Sequence, residues 1–321
     1  MTTDSGSNDT GPNEIGPENL RLSARHLTPL VANRALLIYF LVQNLLVGVL
    51  VALRVAIGPA LLLSGAATLL VFAVVFRDAW AELRASARWR TPPDLLAALG
   101  ALGLGFVASR GVLVFVASVF PNSLRDIPQF EARGGGLIWL VLSAGVLIPF
   151  VEELIFRGFG LASYERRRGA LFAAVSISAL FAFVHGVPAQ VAGILPLAWV
   201  LARCVQFSGS LWTGVIVHAL NNTFAVVVAS LLTGNQAFGK LLDESAQASV
   251  SLGAGLAGLL VAALSLWAAT AWLRPRVVEP RDERGGPVWS GSLLAVVLLT
   301  VLVVAFTLLQ PSLPTFNLPT Q

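Results

Sequence analysis

Two adjacent carboxylates, Glu152 and Glu153, lie in a stretch from Gly136 to Tyr164 that is otherwise almost wholly apolar. An acid held in hydrocarbon costs from about 2.5 kcal/mol upward, so acids kept there default to function. Glu153 and Arg157 are four apart, which puts them on one helix face and predicts an ion pair. Glu152 sits roughly 100° further round the helix and gains no such partner locally. One acid is expected to be structural, and the other is left over for chemistry.

Two further apolar stretches carry polar groups. Leu171 to Val187 holds Phe181 and His185, and Ser210 to Leu232 holds His218 and Asn222, with Asn221 beside it. Each pair is four apart, so each is expected on one face of its helix. His26 lies in a polar amino-terminal segment, which leaves both remaining histidines in this set. A water-poor pocket disfavours a charged carboxylate and makes it a better general base. Glu152 is therefore expected to deprotonate water, with His185 positioning that water or sharing its proton. His218 and Asn222 can donate hydrogen bonds to a developing oxyanion. Glu153 and Arg157 would turn Glu152 inward, and Phe181 would pack and exclude water. The same residues allow a second reading, a zinc site of Glu152, His185 and His218 with an open fourth position. Glu153 would then have to act as base, against the competing claim of Arg157. Without the HExxH spacing, the reading that requires no cofactor is favoured over the zinc version.

These residues need elements to hold them. Of 321 residues, 56% are hydrophobic and 12% charged, and the mean hydropathy is +0.79. A soluble domain carries about 25% charged residues, so an all-α, polytopic membrane bundle is expected. Apolar runs of spanning length fall at about 33–53, 58–76, 95–119, 136–163, 169–187, 188–206, 209–232, 249–273 and 290–309, giving eight or nine helices. Four regions follow: a disordered, uncleaved polar segment 1–28, helices over 29–136, a core at 137–232, and carboxy-terminal helices and tail at 233–321. The net charge of +4 comes from arginine in short loops, which points to membrane orientation and away from nucleic-acid binding. Fifteen basic residues against four place the amino terminus inside the cell membrane. Cys204 is the single cysteine, which excludes an internal disulfide and a Cys-based zinc cluster. Gln43 and Asn44 are expected to bond between helices, Asn221 likewise, and Pro149 to kink its helix and free carbonyls. Arg110 is read as an ion-pair or snorkelling residue, and Arg166–Arg168 as an interfacial anchor.

Depth tests whether one site is feasible. From the Arg166–Arg168 turn, Glu152 lies roughly 20 Å in and His185 roughly 25 Å in; from Gly209, His218 and Asn222 lie roughly 14 and 20 Å in. The spread is about two helical turns, so a shared site is allowed.

At these residues the chain resembles the CAAX protease and bacteriocin-processing family of intramembrane endopeptidases. That family includes the type II CAAX prenyl endopeptidases, and its members are often described as metalloproteases. Its EExxxR motif matches Glu152, Glu153 and Arg157; FxxxH matches Phe181 and His185; HxxxN matches His218 and Asn222. The resemblance covers roughly residues 137–232. It implies a peptidase with a Glu152-activated water, histidines at His185 and His218, and an oxyanion role for His218 and Asn222. The implied partners are the bilayer and a peptide or membrane-associated protein substrate, cut near its carboxyl terminus by eukaryotic members. Bacterial relatives are linked to peptide maturation, self-immunity and scaffolding, so a non-catalytic scaffold is the competing class. A proton-coupled transporter is disfavoured, because no internal repeat is visible. The arginine bias places the site in the outer half of the membrane, whereas the prenyl-protein-processing members would open to the cytoplasm.

Overall fold

The computed structural model describes residues 26–127, 135–233, 250–282 and 286–309. The expected disorder of 1–28 therefore lies almost wholly outside the described residues. Every regular element among the described residues is helical, as the composition requires. The apolar helices are α1 (Pro29–Ala52), α2 (Ile57–Val75), α5 (Leu95–Val119), α6 (Gly135–Arg168), α7 (Ala170–Phe183), α8 (Pro188–Ser208), α9 (Leu211–Thr233), α10 (Leu252–Trp272) and α11 (Gly291–Leu309). Short polar helices α3 (Arg77–Ala85) and α4 (Ala87–Arg90) join α2 to α5. Seven of these helices are long and apolar enough to cross a membrane, and α7 and α11 are shorter apolar helices. The bundle is a multi-pass membrane protein.

The connections alternate between two ends, and hydrogen bonds identify one end directly. Leu27, Glu82, Arg88, Glu165, Arg166, Gln206 and Glu279 come from segments far apart in sequence, yet they meet there. Glu165 is fully buried, paired with Arg88, and accepts from Gln206 Nε2 (2.7 Å) and the Glu279 amide (3.1 Å). Arg166 bonds Glu82 at 2.6 Å and Glu279 at 3.1 Å. Asn33 donates to the Val288 carbonyl (2.7 Å) and accepts from the Tyr164 hydroxyl (2.7 Å). Arg166, expected as an interfacial anchor, also joins two carboxylates in an ion network at this end.

Helix α6 is not uniform. It is π-helical over Val141–Leu147 and again over Leu154–Leu161, with α-helix between and at both ends. Pro149 explains the first widening. It has no N–H to donate and its ring crowds the preceding turn, so the ladder slips to a wider pitch. The Ile148 amide bonds Ser143, five residues back. On that register, Pro149 leaves the Ala144 carbonyl without its helix partner. Close approach matters here too: a Cβ on Gly145 would stand 2.6 Å from Thr223 Oγ1 of α9.

The run 169–187 departs from expectation. Helix α7 stops at Phe183, giving about 21 Å of rise, short of the roughly 30 Å bilayer core. Gly186, at φ +79°, and Pro188 turn the chain back into α8 before the run is finished. His185 therefore sits in a turn, not on the face of a helix.

Candidate active site

Glu152 and Glu153 occupy the α-helical interval between the two π-helical segments of α6, and both are buried. The core around them comes from α1, α2, α6 and α7, including Leu36, Phe72, Val151, Ile155 and Phe181. Glu152 Oε1 accepts a hydrogen bond from the Tyr39 hydroxyl at 2.7 Å, and Glu152 Oε2 lies 3.5 Å from His218 Nε2. The two oxygens of this carboxylate therefore have different environments.

Glu153 does more than the expected helix pair. Its Oε1 meets Arg157 Nη1 at 2.7 Å and His218 Nδ1 at 2.9 Å. A carboxylate on Nδ1 favours a proton there, and Nε2 donates as well when the ring is doubly protonated. Glu153 thus belongs with the histidine as well as with the arginine. Arg157 is completely buried, donates from Nη2 to the Ala198 carbonyl of α8 at 3.1 Å, and lies 4.5 Å from the Phe181 ring centroid. Space for the Glu153 carboxylate is provided by Gly214, where a Cβ would come within 2.8 Å of Oε2.

Phe181 is the spacer of the site. Its centroid is 5.0 Å from that of His185 and 5.4 Å from that of His218, and Phe156 packs against it edge-on at 4.9 Å. His185 Nδ1 is 2.7 Å from the Phe181 carbonyl. A carbonyl only accepts, so Nδ1 carries the proton and Nε2 of the neutral ring is an acceptor. The imidazole caps the end of α7 and is fixed by doing so.

Asn222 stands apart from this cluster. Its Nδ2 contacts the Ala144 carbonyl at 3.4 Å, and its Oδ1 accepts from Asn221 Nδ2 at 3.2 Å. That carbonyl is the one Pro149 leaves free, so the π-helical segment of α6 supplies the group that aims the carboxamide from α9. Asn221 braces its neighbour instead of bridging helices. Gln43 accepts from Ser64 of α2 (3.1 Å), as an interhelical bond should, whereas Asn44 bonds back to Phe40 within α1 (2.7 Å). Arg110 lies 5.3 Å from the Phe106 ring centroid of its own helix.

The structure therefore brings Glu152, Glu153, Arg157, Phe181, His185 and His218 together and places Asn222 at the edge. Sequence reasoning missed Tyr39. The signal was present, since the chain has only 2 tyrosines and Tyr39 is a phenol in the middle of an apolar helix. A zinc centre needs three or four donors converging on one point. Among the described residues no three His, Cys, Asp or Glu side chains do so.

The cluster falls inside a region with relatives. Residues 134–224 match the family model described as type II CAAX prenyl endopeptidase Rce1-like. No curated protein and no solved structure matches the chain. Tyr39 lies outside the matched segment.

Proposed function

Because residues 134–224 match the family model described as type II CAAX prenyl endopeptidase Rce1-like, we propose that the chain is an intramembrane endopeptidase that uses a glutamate-activated water. The observation that carries this reading is the Glu152 carboxylate, with one oxygen held by Tyr39 and the other 3.5 Å from His218 Nε2. In this reading Glu152 Oε2 takes a proton from water as that water attacks the scissile carbonyl. His185 Nε2, kept as an acceptor by the bond at Nδ1, orients the water. His218, flanked by Glu153, donates from Nε2 to the oxyanion, and Asn222 donates from Nδ2 at the far side. The proton held by Glu152 then passes to the leaving amine. The substrate in this reading is a peptide or a membrane-associated protein, and the enzyme resides in the cell membrane with its amino terminus on the inner side.

The test is cleavage of a membrane-anchored reporter peptide by the purified protein in liposomes. Glu152→Gln, correctly inserted, is expected to lose at least two orders of magnitude of kcat, the range typical of a lost general base. Turnover at the wild-type rate in that variant would reject Glu152 as base. Rates are expected to survive exhaustive chelation; a loss restored by zinc would reject the metal-independent route.

A further inference from the structure

The segment matched by the family model begins at residue 134, yet the carboxylate at its centre is completed by a residue of the first helix. Tyr39 is 6% exposed and packs in the main core beside Leu36, Phe72 and Val151. A buried phenol needs a partner for its hydroxyl, and the partner found is Glu152 Oε1 at 2.7 Å. We propose that Tyr39 is a positioning residue of the hydrolytic site, donating to Glu152 Oε1 so that Oε2 remains the basic oxygen directed toward His218 and the attacking water. This inference rests on the hydrolytic reading above.

A carboxylate rotating freely about its last bond presents either oxygen to water, and only one orientation is productive. Tyr39 removes that freedom by tying down one oxygen. The remaining charged and titratable groups facing Glu152 do not substitute for it. Glu153 and Arg157, on its own helix, are engaged with each other and with His218. His218 of α9 lies on the Oε2 side, and His185 after α7 is tied to the Phe181 carbonyl. Helix α2 presents no titratable side chain. A donor to an ionised group also stabilises that ionised form, so loss of the hydroxyl should make Glu152 take up its proton more readily.

The purely structural alternative is that Tyr39 only latches α1 to α6. Tyr39→Phe keeps the ring and removes the donor, and the discriminating readout is titration of the carboxyl. In infrared difference titration of the full chain in liposomes, the Glu152 band is the one absent from Glu152→Gln. Its midpoint is expected to rise by about one pH unit in Tyr39→Phe, as befits a hydrogen bond to a charged group. The acid limb of the kcat profile should move by the same amount, with about a tenfold loss on that limb and KM unchanged. Replacing Tyr39, the one tyrosine left in a Tyr164→Phe background, with 3-fluorotyrosine strengthens the donor without disturbing packing and should move the midpoint down. An unmoved midpoint in both proteins overturns the inference, even if thermal stability falls. Absence of wild-type turnover strikes the hydrolytic reading, whereas an unmoved band strikes Tyr39, so the two failures are distinguishable.

Discussion

At the scale of single residues, the two glutamates divide their work less cleanly than their spacing suggests. Glu153 joins Arg157 and His218 through one oxygen, in a place without water access. Removing one partner of a buried pair leaves the other charge uncompensated, which typically costs about 3–5 kcal/mol. Glu153→Ala should therefore lower thermal stability in detergent by that order, and also reduce turnover because His218 loses its anchor. Gly214→Ala is a subtler probe. Its methyl would press on Glu153 Oε2 at 2.8 Å and on Val205 Cγ2 at 2.9 Å, so the carboxylate must shift. A fall in kcat, of about tenfold, is expected with far-ultraviolet circular dichroism unchanged, since sub-ångström misplacement of catalytic groups is costly. Wild-type kcat in Gly214→Ala would show that the Glu153–His218 contact has no functional weight. The residue types and the ion pair with Arg157 were legible from spacing alone. The Glu153–His218 bond and the Tyr39–Glu152 bond were not, because both join separate helices and depend on rotation about each axis, which apolar patterning does not fix.

At the scale of elements, hydropathy located nine apolar runs, but their internal geometry was hidden. The π-helical segments of α6 shift the angular register of everything that follows them, so a wheel drawn with 3.6 residues per turn misplaces groups across the kink. The end of α7 was masked for a different reason: its turn residues are themselves apolar, so composition gives no break where Gly186 reverses the chain. Pro149 marks a missing donor in the sequence, but not where the freed carbonyl would be used. Pro149→Ala restores a donor to the helix ladder and draws the Ala144 carbonyl away from Asn222. This variant should hold or gain thermal stability while losing on the order of tenfold in kcat, less than full removal of an oxyanion donor. A variant as active as the wild type would show that Asn222 needs no support from α6.

At the scale of the whole molecule, the network at the arginine-rich end ties five stretches of chain together. Glu82 is its most exposed carboxylate, on the polar helix α3 outside the spans. Burial alone would raise its pKa, but donors from Leu27, Arg166 and His26 outweigh that and hold the carboxyl below the ordinary value of 4.5. A carboxyl depressed in the folded state stabilises the fold fully above the unfolded value and loses that contribution as pH falls through the folded one. Thermal unfolding followed from pH 7 down should therefore decline below about pH 4.5. Glu82→Gln should flatten that decline while leaving the neutral-pH midpoint lower than wild type. An identical acid slope in the two proteins would remove Glu82 from the account.

The way Glu165 is completed also bears on when the protein matures. Its partners are supplied by residues 88, 206 and 279, and Asn33 waits for residues 288 and 290. A nascent chain that has only just released α9 into the bilayer already owns every motif residue, yet Glu165 lacks the Glu279 amide and Asn33 lacks both of its acceptors. Ribosomal order thus withholds these contacts until the stretch between α10 and α11 has emerged.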